Sequence, residues 1–206
     1  MTPSEEHLAF YHEIGMTVTQ WASVEQALWW IVSCCFDKQS AATSAVGFYA
    51  IENFRSKIQF TGRVFRQTHT KPSDIKRWEA IALRAQSVAT DRNKIVHQSV
   101  MVFTESSPGR QYALIPTYSR PTKRKSRNGK LLPPPGSLCV RDICKIRYRM
   151  FALHVTLHNF YDHLRGEPEL FPVHLEAEKP PQTLSELRTQ TRVLSMSLHA
   201  APVEKS

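Results

Sequence analysis

Glycine is scarce in this chain, seven residues in 206, and no glycine-rich run or G-x-S-x-G turn occurs. A phosphate-cradling loop and a serine-hydrolase elbow are both missing, which speaks against ATP use and against that hydrolase chemistry. The four cysteines, Cys34, Cys35, Cys139 and Cys144, contain no C-x-x-C pair. With Cys34 and Cys35 adjacent inside a helical pattern, no disulfide framework is expected. The four read as small core fillers in a reducing, cytoplasmic setting. No apolar run reaches the roughly 18–20 residues of a membrane span, and MTPSEEHLAFYHEIG is acidic where an export signal is basic. No membrane partner is therefore expected. Acidic residues are also short, 18 against 27 Lys+Arg, for a net charge of +9. That surplus biases the chain toward polyanionic partners, nucleic acid first among them.

Proline is absent from 4–71, 73–107 and 136–167, the uninterrupted spans that helices need. In the first span Ile14, Thr17, Trp21, Val24, Leu28 and Ile31 step by three and four, and after a break near Asp37–Ser40 so do Ile51, Phe54, Ile58, Thr61 and Phe65. Pro72-Ser73-Asp74 starts a third helix with Ser73 as N-cap and a stripe of Trp78, Ile81, Ala85 and Val88. A fourth, over about 141–165, carries Ile143, Ile146, Met150, Leu153, Leu157, Phe160 and Leu164. Four amphipathic helices must bury their stripes against one another, so the expected class is all-α, a four-helix bundle within residues 1–165.

Between the third and fourth helices, SVMVFT and QYALIPTY flank ESSPGR and predict an inserted β-hairpin over 99–118. A basic, proline-rich loop follows over 120–135; its RPTKRKSRNGK run has six positive charges and no acid. Lys123, Arg124, Lys125, Arg127 and Lys130 are its candidate contacts to RNA phosphates, with a solvated linker as the competing reading. Residues 166–206 hold five prolines and weak periodicity, predicting a largely extended or disordered tail with a short helix near 183–197.

The stretch most like chemistry is Arg92-Asn93-Lys94-Ile95-Val96-His97. Its Arg-to-His spacing decides nothing, because Arg149 and His154 repeat it. Context separates the two. Asn93 and His97 are four apart, hence neighbours on a helix, and Arg92 falls in phase with an apolar stripe, where an arginine must be paired or face a cleft. Thr90-Asp91 could cap a new helix there and kink the element. Residue pattern alone leaves two readings open: a satisfied salt-bridge network with Glu25 as partner, or a functional cleft. His154, His158 and Asp162 share one face at metal-compatible spacing but lack the H-E-x-x-H order; an ordinary polar flank is expected, with no metal and no cofactor.

An Arg, a polar residue, three more residues and a His near the third helix of a small four-helix bundle resembles the HEPN superfamily. Trp21-Ala22-Ser23-Val24-Glu25-Gln26-Ala27-Leu28 and Phe54-Arg55-Ser56-Lys57-Ile58 look like the corresponding segments of bacterial HEPN-like proteins, and the likeness covers about residues 10–165. The resemblance implies a homodimeric, metal-independent endoribonuclease, with Arg92 stabilising the transition-state charge and His97 as general acid/base. Asn93 would orient the phosphate or the imidazole, and Glu25 would hold Arg92. It further implies 2′,3′-cyclic phosphate products and a bacterial toxin–antitoxin or phage-defence setting, with a nucleotidyltransferase-like antitoxin as partner. Members that keep the fold without the activity imply the alternative, a non-catalytic RNA- or protein-binding dimerisation module.

Overall fold

The structure, a computed structural model, describes residues 3–37, 40–104, 110–117 and 133–168. The described chain is mostly helical with one small antiparallel sheet. In order it runs α1 (Pro3–Ser33), α2 (Ala41–Tyr49), α3 (Phe54–Thr68), α4 (Pro72–Val96), β1 (Gln98–Thr104), β2 (Arg110–Pro116) and α5 (Val140–Arg165). The basic loop residues Lys123, Arg124, Lys125, Arg127 and Lys130, and the tail from 169 onward, lie outside the described residues.

Helices α3, α4 and α5 start at local signals. Asn53 caps α3, its side-chain oxygen accepting from the N–H groups of Arg55 at 2.8 Å and Ser56 at 3.4 Å. Cys139 and Asp142 form a capping box on α5, which ends at Gly166 with φ of 73°, a left-handed C-cap that glycine adopts without strain. The start of α4 differs from expectation. Lys71 is the N-cap and Pro72 occupies the first turn, where its missing N–H costs nothing, so Ser73 is already helical and bonds Asp74 instead.

The four stripes meet in one core. Helix α5 packs on α1 and α4, and α3 packs on α1 and α4, so each long helix touches two others. Thr17, Trp21, Val24, Leu28 and Ile31 of α1 are buried, as are Trp78, Ile81, Ala85 and Val88 of α4. Phe65, Trp78 and Phe160 bring α3, α4 and α5 together, with Phe65–Phe160 ring centroids 5.6 Å apart. Because α5 lies between α1 and α4, burial extends beyond its stripe. Arg147, His154, Thr156, Asn159 and Asp162 are all buried, which corrects the expectation of an ordinary polar flank.

Short α2 fills the break after α1. Its deeply buried side chain is Phe48, which packs near Trp29. The helix α1 ends at Ser33, so Cys34 and Cys35 occupy the following turn rather than the helix itself, and both are only half-buried. Cys139 is exposed at its cap position, leaving Cys144 as the one buried thiol of the four; all four are free. The hairpin pairs Gln98 with Pro116 through Thr104 with Arg110 in antiparallel register, and Leu114 also bridges Leu138. No helix among the described residues is long and apolar enough to cross a membrane.

Candidate functional site

One open cleft of about 700 Å³ collects most of the chemically interesting side chains. Helix α1 contributes Trp21 and Glu25; Glu52, Asn53, Phe54 and Arg55 come from the start of α3; Gln86, Ala89, Thr90, Arg92 and Asn93 come from α4, followed by His97. Sequence separation across these three segments exceeds 70 positions, so tertiary packing alone assembles the set. All four residues singled out from the sequence, Glu25, Arg92, Asn93 and His97, line this one cleft.

The rotation of α4 sets what faces it. From Val88 the buried stripe continues to Asp91 and Ile95, so Asp91 and not Arg92 takes the core position. Asp91 is held by Arg149 of α5 and by Lys94, the latter at 2.8 Å. Arg92 sits one residue on, about 100° around the helix, half-buried at the cleft wall. No new helix begins at Thr90-Asp91. The helix is continuous to Val96, and the Thr90 hydroxyl donates back to the Gln86 carbonyl at 3.1 Å.

Arg92 is fixed on two sides. Its guanidinium lies over the Trp21 ring, 5.7 Å from the centroid, a cation–π arrangement, and its Nη1 donates to Asn93 Oδ1 at 3.2 Å. With its oxygen so engaged, Asn93 has its amide N–H groups left for an acceptor in the cleft. His97 is the C-cap of α4 and is exposed. Its backbone is tied at both ends: the N–H donates to the Asn93 carbonyl at 3.1 Å, and the carbonyl accepts from Thr117 Oγ1 at 2.6 Å. Thr117, the residue after β2, thereby anchors His97 while leaving the imidazole at the cleft.

Glu25 does not pair directly with Arg92. One carboxylate oxygen accepts from Lys57 Nζ at 2.9 Å and the other from the Trp21 indole N–H at 3.1 Å. Lys57 is buried and lies 5.4 Å from the Phe48 ring centroid and 5.8 Å from that of Tyr49. The sequence pattern named Lys57 only as part of a segment, since a lysine in a helical stripe gives no hint of its partner. Trp21 was legible as a core residue; that one of its faces also serves the cleft was not.

The remaining reactive side chains are poor candidates. Burial pushes the Cys34 thiol up to about 11 and the Cys144 thiol up to about 12, so neither is a thiolate nucleophile near neutral pH. Burial, and then the neighbouring His158, push His154 down to about 4. His158 Nδ1 is paired with Asp162 at 2.9 Å. Among the described residues no group of three His, Cys, Asp or Glu side chains is placed to hold a metal ion.

The arrangement offers two arginines, Arg55 and Arg92, an imidazole and the Asn93 amide donors around one open volume, beside the Glu52 carboxylate and that of Glu25, which Lys57 already neutralises. The first turn of α3 adds the partial positive charge of a helix N-terminus. Such a cleft can bind an anionic group and exchange protons with it. Comparison with family models, curated protein sequences and solved structures finds no match to this chain.

Proposed function

We propose that the chain is a metal-independent endoribonuclease of HEPN type, with α1, α3, α4 and α5 as its four-helix bundle and a homodimer as its working form. The observation that carries this reading is the convergence of Glu25, Arg92, Asn93 and His97 on one cleft. Leu83, Gln86, Thr90, Asn93 and His97 step along a single face of α4, and Leu83 on that face is 69% exposed. An exposed leucine beside the cleft residues suits a two-fold contact through α4.

In this reaction a ribose 2′-hydroxyl attacks the adjacent phosphorus and the 5′-oxygen leaves, giving a 2′,3′-cyclic phosphate and a 5′-hydroxyl. Arg92 stabilises the extra negative charge of the pentacoordinate transition state, and its seat on Trp21 means little reorganisation is needed. His97 takes the hydroxyl proton or supplies one to the leaving oxygen, the task for which an imidazole is suited near neutral pH. A two-fold dimer brings two such imidazoles, so acid and base need not be the same ring. Asn93 donates to a phosphate oxygen.

The test uses purified full-length chain, mixed RNA and EDTA, comparing wild type with Arg92→Ala and His97→Ala. The expected outcome is cleavage by wild type and a loss of about 10²–10⁴-fold in each variant. Equal background from all three would sink the nuclease reading. RNA retained on the wild type without cleavage would assign the chain to the non-catalytic binding class instead.

A further inference from the structure

Glu25 lines the cleft yet spends both oxygens on Lys57 and Trp21, which leaves open how it serves Arg92. The chain of contacts supplies an answer. Lys57, buried beneath Phe48 and Tyr49, holds one carboxylate oxygen at 2.9 Å. The other oxygen holds the Trp21 indole N–H at 3.1 Å. The Trp21 ring, 5% exposed and set against Phe54 at 4.4 Å between centroids, carries the Arg92 guanidinium.

We infer that Trp21 is a positioning residue, a shelf whose orientation is set by Glu25 and Lys57 and which fixes the Arg92 guanidinium toward the cleft. The inference rests on Arg92 being the charge-stabilising group proposed above. It changes the role of Glu25 from direct partner of Arg92 to anchor of the surface beneath it. An aromatic face suits this task because it attracts the guanidinium without occupying its N–H groups. All of the outward donors stay available to a phosphate, apart from the one given to Asn93. A carboxylate in direct contact would consume donors and cancel the charge that the transition state requires.

The shelf can be tested without activity. In ¹H–¹⁵N spectra of the arginine Nε–H groups, the Arg92 signal is assigned by its disappearance in Arg92→Lys. Ring current from Trp21 places it away from the bulk arginine signals in the wild type, and Trp21→Leu returns it to them. Glu25→Ala moves it partway, although Glu25 makes neither a hydrogen bond nor an ion pair with Arg92, and covers the case of a leucine variant that does not fold. In cleavage assays Trp21→Leu lowers kcat about a hundredfold with KM nearly unchanged, the scale of a misplaced catalytic group. In an Arg92→Ala background the same change has no further effect, since both remove one function.

A wild-type Arg92 signal at the bulk position, or one unmoved by Glu25→Ala, overturns the shelf. So does an equal activity loss from Trp21→Leu with and without Arg92, which would mark a purely structural tryptophan. A wild type that cleaves no RNA fails the nuclease reading, and the spectra then decide the shelf alone.

Discussion

His154 makes the fold acid-sensitive in a definite window. The ring is 7% exposed on α5, its Nδ1 lies 3.4 Å from Gln20 Nε2, and its Nε2 is buried without a hydrogen-bond partner. Protonation would place a charge in that site next to His158, so burial first and His158 second push its pKa down to about 4 from the ordinary 6.5. In the unfolded chain the ring protonates near 6.5, so between 6.5 and 4 the unfolded state binds the extra proton and gains from acid. Stability is therefore fully present above 6.5 and is lost as pH falls toward 4. At about 1.4 kcal/mol per pH unit the full effect is about 3 kcal/mol, with roughly 2.5 kcal/mol gone by pH 4.5. Asp74, whose carboxyl is also held below its ordinary 3.8, by hydrogen bonding to His163 and the charge of Lys71 acting against its desolvation, loses its contribution at lower pH, mainly below this window. Urea unfolding at pH 7.5 and 4.5 measures the loss. His154→Gln cannot take up the proton and is expected to show about 2.5 kcal/mol less pH dependence than wild type. Equal losses in the two proteins would refute the assignment.

Two further outcomes follow from particular contacts. Asp91→Ala removes the carboxylate that pairs with Arg149 and Lys94, but Arg149 keeps Ser87 and both cations can turn to water, so the loss is expected at about 2 kcal/mol in urea unfolding, and a change below about 0.5 kcal/mol would contradict it. Gly62→Ala would ordinarily stabilise a helix by up to about 1 kcal/mol. Here the new Cβ would stand 3.0 Å from Nε1 of Trp78, a ring 1% exposed and packed near Phe65 and Phe160, so the melting temperature is expected to fall, and a rise would refute the contact.

The long helices were legible because each repeats its apolar step over several turns, and the hairpin because two β-prone runs flank a Pro-Gly signal in the sequence. Short α2 was not. AATSAVGFY has no acidic residue in its first turn, no side-chain cap at Ser40 and, among its described side chains, a single deeply buried one, so no period is visible. The phase of α4 failed for a different reason. After Val88 both Asp91 and Arg92 are permitted steps of a helical stripe, and the packing that decides between them, with Asp91 buried against Arg149 of α5, is tertiary. The burial of His154 and Asp162 was likewise invisible, since periodicity reports one face and α5 is covered on more than one. The candidate residues Glu25, Arg92, Asn93 and His97 could be named from their context and the family resemblance, but not Lys57 or the cleft-facing side of Trp21, whose contacts exist only once α1, α3 and α4 meet.

The duplicated Arg-to-His spacing shows how these links combine. Arg149 and His154 lie on α5, where the arginine clasps α4 through Asp91 and Ser87 and the histidine is buried. Arg92 and His97 lie on α4, where the arginine rests on Trp21 and the histidine is exposed at the helix end. Arg149 bears on the second pair through α4. A hydrophobic residue at 91 would fill the stripe with less desolvation cost, and buried ion pairs are often no better than apolar packing for stability. What the Asp91–Arg149 pair adds is direction. It ties one side of α4 to α5 at a defined rotation, and a step of about 100° per residue then leaves Arg92 on the Trp21 shelf. The identical spacing thus sits in two different surroundings, and burial of the histidine distinguishes them. Loss of Asp91 should accordingly loosen Arg92 as well as lower stability, a coupling that the Arg92 Nε–H signal can read in Asp91→Ala under conditions where the fold remains intact.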